Sequence, residues 1–184
     1  MFKLNQLDDL TLWTKIVVGH DDRAFEKLVQ KYQGDVRRFF LHQTLGDEML
    51  SDDLAQETFI KVYTHIGSFR NLANFKTWLY SIAYNVFYDH TRSQKTAVDL
   101  DSAEVMSQTS VQRDTTISTD IYQALQQLSP PERTCVTLNV MEDLPTAKIA
   151  VVTGMPEGTV KSHISRGKEK LANYLRKNGY EDRR

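Results

Sequence analysis

The chain has 184 residues, room for one ordinary domain or two small ones. Apolar residues make up 40% and charged residues 26%, and 23 basic against 24 acidic side chains leave a net charge of −1. That is the balance of a soluble globular protein, and no apolar run approaches the ~20 residues needed to span a bilayer. A single cysteine, Cys135, excludes an intramolecular disulfide and a cysteine-rich zinc site. The start, Met1 to Val18, mixes Lys3, Asp8, Asp9 and Lys15 with its apolar residues and lacks the core of a signal peptide, so the expected location is the cytoplasm, with no membrane insertion.

The near-zero net charge hides segregation. Residues 1–69 carry 8 basic and 11 acidic side chains, and residues 70–95 carry 4 and 1. Residues 96–120 carry 1 and 5, whereas 156–177 carry 6 and 2. Two locally basic segments therefore lie in an acidic chain, and local charge is what a phosphate backbone feels.

In chain order the sequence reads as almost wholly helical, because Gly and Pro are scarce and no period-two alternation is sustained. A first helix is predicted over about 7–18, ended by Gly19-His20. Asp21 or Asp22 then caps a helix over about 22–43, whose inner face carries Phe25, Leu28, Tyr32, Val36 and Phe39. A third runs from about Ser51 to His65, with Leu54, Phe59 and Val62 inward; 67–74 is a loop; and a long helix follows over about 75–92. From Gln94 to Thr119, Ser, Thr, Gln and Asp replace the aromatic residues, the composition of a flexible acidic linker. Ser129-Pro130-Pro131-Glu132 is a helix start with a capping box. Shorter helices are predicted over about 145–153 and 156–177.

The segment LPTAKIAVVTGMPEGTVKSHISRGKEKL, 144–171, reads as a helix-turn-helix. Gly154 suits the left-handed residue that ends a helix, and Pro156 restarts one. Val160, Ile164, Leu171 and Leu175 form one buried stripe. The opposite face offers Lys161, Ser162, Ser165 and Arg166, with His163 at its margin, as donors to a major groove. A helical hairpin with a merely solvated charged face is the plain alternative. Within it, TVKSHISR also resembles the recognition helix of LuxR-type response regulators.

The first half makes the resemblance specific. AFEKLVQKYQGDVRRFF, DDLAQETFIKVYTHIGSF and FKTWLYSIAYNVFYDHTR resemble the successive helices of region 2 of bacterial sigma factors. LQQLSPPERTCVTLNVMEDL through GTVKSHISRGKEKL is similar to sigma region 4. Region 2, a polar linker and region 4 in that order are the plan of the extracytoplasmic-function (ECF) group. The resemblance implies an all-α fold of two small domains, a region 2 bundle over 1–95 and a region 4 helix-turn-helix domain over 120–184, joined by the linker 96–119. It implies transcription initiation: docking on core RNA polymerase (β′ clamp and β flap), and reading −10-type and −35-type promoter DNA. An anti-sigma partner is expected, but no catalytic residue, cofactor or metal.

The residues suit those roles. Asp52, Asp53, Gln56 and Glu57 cluster on one helix, and the last three share a face suited to an Arg-rich polymerase surface. Ordinary acids at a helix start are the alternative. Trp78, Tyr80 and Asn85, with Asn71 in the preceding loop, supply rings and amides for an unpaired −10-type strand. Trp78 reads equally well as core. Lys161, Ser162, His163, Ser165 and Arg166 would read the −35-type duplex. The chain departs from the family pattern at Ser81, Tyr84 and His163, where arginine is frequent, and at Pro145-Thr146-Ala147, where the usual cap is missing. Cys135 reads as a buried structural residue, and the five histidines show no metal-ligand spacing.

Overall fold

The computed structural model describes residues 2–69, 74–100 and 116–180, and among them there are helices and turns but no strand. The first half is a four-helix bundle: α1 (Phe2–Gly19), α2 (Asp22–Gln43), α3 (Glu48–His65) and α4 (Phe75–Leu100). Asp21 caps α2 by accepting from the N–H groups of Arg23 and Ala24, and Asp47 caps α3 through Leu50 N–H. α1 is tied down by polar contacts: Asp9 accepts from Lys31 and from the Tyr32 hydroxyl at 2.5 and 2.6 Å, and Trp13 Nε1 donates to Ile66 O at 3.0 Å. The core holds Leu28, Val36, Phe39, Phe40, Leu54, Val62, Leu79, Tyr80 and Ala83, all nearly inaccessible. Burial at this scale supplies ~25 cal/mol per Å² of apolar surface.

The second half contains α5 (Thr116–Gln126), α6 (Pro130–Val136), a π-helical turn over Thr137–Met141, α7 (Thr146–Thr153) and α8 (Glu157–Lys177). Glu132 closes on the start of α6 by accepting from Ser129 N–H at 3.0 Å. Gly154 ends α7 at φ +70, the left-handed conformation predicted for it. Pro156 is the cap of α8, so the helix begins one residue later than predicted. α7 starts after Pro145 without a side-chain cap. Asp143, ahead of that helix, stands in a left-handed turn at φ +53. Of the predicted stripe, Val160 and Ile164 are buried, whereas Leu175 is exposed.

The expected linker is shorter than its composition suggests. α4 runs on past 95 to Leu100, and α5 begins at Thr116, ahead of 120. No glycine or proline lies between Arg92 and Leu100 to stop the helix, and polar composition alone does not end one. The middle of that segment lies outside the described residues. The two halves also share one apolar core: Cys135, Leu138, Leu144, Ile149 and Val152 continue the cluster formed by the first bundle. α7 lies against α4, and α6 against the end of α2.

Candidate polymerase and nucleic-acid interfaces

On α8, Val160 and Ile164 face inward and turn the opposite side to solvent. Lys161, Ser162, Ser165 and Arg166 are exposed there, and His163 is half-buried beside them. Local contacts order this face. Lys161 pairs with Glu157 one turn earlier at 3.0 Å, and Ser162 donates to Gly158 O at 3.0 Å. Arg166 donates to His163 Nδ1 at 3.2 Å and lies 3.6 Å from the Glu132 carboxylate. Lys170 donates to the same carboxylate at 2.7 Å. Lys170 above all, helped by Ser129 and opposed by burial, holds the Glu132 carboxyl down at about 2. Glu132 thus joins α6 to the edge of the donor face. The sequence marks it as a capping residue and gives no sign of this second task.

α4 distributes its candidates over different sides. Asn85 is exposed, as a strand reader must be. Tyr88, also exposed, lies three residues further on the same face and stacks on Tyr84 with centroids 6.2 Å apart. Trp78 is half-buried in a cluster with Phe69 and Phe75, at 5.3 and 5.6 Å. Asn71 lies outside the described residues.

Tyr80 corrects the sequence expectation: it is wholly buried, edge-on to Phe39 at 5.5 Å, with no face to offer a base. Residues two apart on a helix point in nearly opposite directions, so Trp78 and Tyr80 do not form a pair of rings. Tyr80 shares its side with Lys76, whose Nζ is 5.7 Å from the ring centre. Burial, and next the nearby Glu142 carboxylate, push the Tyr80 hydroxyl far up.

On α3, Asp53, Gln56 and Glu57 are exposed on one face. Asp52 turns away and accepts from Arg37 of α2 at 2.5 Å. Glu57 pairs with Lys61 at 2.9 Å. Beside this face runs an apolar groove of about 810 Å³ between α2 and α3, walled by Phe25, Val29, Phe59, Ile60 and Tyr63. Ile60 is 64% exposed; Tyr63, 51% exposed, packs edge-on to Phe25 at 4.9 Å and donates to Asp22 at 3.2 Å, leaving its outer side as apolar surface. The acidic cluster was legible in the sequence; the groove needs two helices side by side and was not. Cys135 is buried, and burial pushes its thiol up to about 11, away from reactivity. Among the described residues no group of three His, Cys, Asp or Glu side chains is placed to hold a metal ion, and no helix is long and apolar enough to cross a membrane.

Comparison with known proteins gives this arrangement a family. Residues 28–97 match the model of sigma-70 region 2, and residues 118–171 match that of sigma-70 region 4. The chain is 34% identical over 183 residues to the RNA polymerase sigma-H factor of Pseudomonas aeruginosa, covering 91% of this chain and 94% of that one. It is 31% identical over 177 residues to the ECF RNA polymerase sigma factor SigW of Bacillus subtilis, covering 88% and 94%. Among solved structures, the sigma factor RpoE in complex with the anti-sigma factor NepR, from Bartonella quintana, matches with a TM-score of 0.69 and 26% identity over 83% of this chain and 96% of that one. CnrH, solved with the cytosolic domain of CnrY, shares the fold with a TM-score of 0.70 at 22% identity over 94% and 99%. A LuxR-like regulator would account for the helix-turn-helix alone and leaves the whole first half unexplained. With both region models satisfied in order and relatives aligned over nearly their full length, the chain belongs to the extracytoplasmic-function group of RNA polymerase sigma factors, and it is a transcription initiation factor.

Proposed function

We propose that the chain works by recruitment, with one task on each of three surfaces. The α3 face of Asp53, Gln56 and Glu57, together with the apolar groove beside it, docks on the β′ clamp of core RNA polymerase. Carboxylates there meet cationic partners, and Ile60 and Tyr63 supply the desolvated centre that an interface needs. Asn85 and Tyr88 on α4 take the unpaired strand of a −10-type element, the ring stacking and the amide reading a base edge. Trp78 supports that surface from its aromatic cluster. The α8 face of Lys161, Ser162, His163, Ser165 and Arg166 enters the major groove of a −35-type duplex. The β flap holds the second half.

The reading divides the chain into a region 2 unit over 1–95, a connection over 96–119 and a region 4 unit over 120–184. The polymerase performs all the chemistry, so the chain needs no catalytic residue, cofactor or metal, and works in the cytoplasm. RpoE is seen with an anti-sigma factor, which supports an anti-sigma partner here. The observation that carries the reading is the split of exposed DNA-facing side chains between two halves, Asn85 and Tyr88 on one and Lys161 and Arg166 on the other.

The test is run-off transcription with purified core polymerase on promoters altered in one element at a time. Asn85→Ala is expected to impair opening and −10-type preference, and Arg166→Ala to impair only use of the upstream element. Identical behaviour of the two variants on both promoter sets would refute the division of labour.

A further inference from the structure

Three carboxylates are buried among the described residues: Asp9, Glu132 and Glu142. Asp9 accepts from Lys31 and Tyr32. Glu142 lies 3.2 Å from Lys76 Nζ, which also donates to Glu142 O at 2.9 Å. Both join elements of the fold. Glu132 differs, because one of its oxygens faces the donor side of α8.

Glu132 Oε2 serves the fold, accepting from Ser129 N–H at 3.0 Å and from Lys170 Nζ at 2.7 Å. Oε1 lies 3.6 Å from Arg166 Nε, within ion-pair reach and beyond hydrogen-bond length. The Arg166 side chain is 58% exposed and that of Glu132 only 6%. A long side chain on the DNA side therefore lies against an anion set in the protein. The anion is steadied from behind: Arg133 and Thr134, next on α6, donate to Gln43 O and Gln43 Oε1 of α2, each at 2.9 Å.

The tip of Arg166 is left open. Nε faces Glu132, and Nη2 donates to His163 Nδ1 at 3.2 Å, whereas Nη1 has no partner among the described residues. The guanidinium is planar and rigid, so engaging Nε and Nη2 sets the direction in which the tip points. Arginine meets the O6 and N7 acceptors of guanine with such a fork. A free arginine side chain carries much rotamer freedom, and ordering it before contact lowers the cost of contact. Lys161 gives the contrast. Its partner Glu157 sits one turn back on the same helix and is itself 48% exposed, so that pair has no fixed end.

We propose that Glu132 is a positioning residue for promoter reading: from α6 it aims the guanidinium of Arg166 at one guanine of the upstream duplex and so sets the base preference at that position. This rests on the assignment of α8 to the −35-type element. Glu132, almost inaccessible, acts only through Arg166.

The test uses holoenzyme formed from the full-length chain and core polymerase, with a pool of promoter duplexes randomised across the upstream element. Sequencing the retained duplexes gives the base preference at each position. The parent chain is expected to select guanine at one position, and Arg166→Ala to lose that preference and keep the others. Glu132→Gln keeps an oxygen to accept from Ser129 N–H and removes the charge. It is expected to weaken the same guanine preference by about three- to tenfold and leave the other positions unchanged. In the Arg166→Ala background it is expected to change nothing further. Lys170→Met, which removes the other cation from the carboxylate, is expected to leave the preference at every position as it was. Where Glu132→Gln fails to form holoenzyme, Glu132→Asp, one methylene shorter and so withdrawn from Arg166, is read in the same way with the same expected loss. An even loss at all positions, or no loss at the guanine, overturns the positioning role, since a defect of folding alone does not choose one base. If no guanine preference depends on Arg166, the assignment of Arg166 to the upstream element falls, and the positioning role with it.

Discussion

A Cβ placed on Gly167 would lie 2.5 Å from Val136 Cγ2 and 3.6 Å from both the Cβ and the carbonyl oxygen of Glu132. α8 approaches α6 closely at this point, and only a residue without a side chain permits it. Gly167→Ala is therefore expected to destabilise the second half by about 1–3 kcal/mol, although alanine is the better helix former by about 1 kcal/mol. Val136→Ala in the same chain is expected to recover part of the loss. Denaturant midpoints of the two single variants and the double variant, read as a cycle, check the coupling.

Acid should weaken the fold in two separable steps. Burial, and then the charge of Arg38, lower the His42 pKa from 6.5 to about 4. The unfolded chain binds the proton more readily, so the stability due to neutral His42 is complete above pH 6.5 and is lost as pH falls toward about 4. The loss amounts to at most about 3 kcal/mol. Glu132, held near 2 against an ordinary 4.5, loses its contribution in the lower window between those values. Unfolding free energies measured across pH should flatten in the upper window for His42→Leu and in the lower one for Glu132→Gln.

Reversing charge at Asp53 and Glu57 together is expected to weaken capture of core polymerase by more than about tenfold, about 1.4 kcal/mol, with helix content unchanged. Ile60→Asp, in the groove wall, should do the same. Asp52→Ala is expected to act through Arg37, which it holds at 2.5 Å, and to cost less at the interface. Affinities by surface capture of core polymerase decide among these.

Lys161→Ala and Arg166→Ala are each expected to cost about 1–3 kcal/mol on a −35-type duplex if a bidentate base contact is lost, and about one unit of salt slope if a phosphate contact is lost. Titration at several salt concentrations, with the polymerase holoenzyme, separates the two.

Helix positions and the helix-turn-helix were legible because spacing and punctuation are local. Asp21, Gly154 and, on the inner stripe of α2, Leu28, Tyr32, Val36 and Phe39 fell where periodicity put them, whereas Phe25, expected inward, is half-buried and walls the open groove. Tyr80 was misread because its residue type, a ring near an asparagine, was weighed ahead of its angular position on α4, which turns it inward beside Lys76. Tyr88, exposed on the face of Asn85, was missed for the same reason. Glu142 and Gln43 carry no local signal, because their partners lie 66 and 91 residues away. The shared core between the halves was equally hidden, since a polar linker suggests independent units.

The 66-residue separation of Lys76 from Glu142 sets an order of events during synthesis. At about 5–20 residues per second, a ribosome takes roughly 3–13 s to travel from one codon to the other. In the later part of that interval, once α4 has been made, the first bundle exists without its cover, its Lys76 unpaired by Glu142 and its α4 face bare. The nascent chain therefore passes through the uncovered state before it ever reaches the covered one.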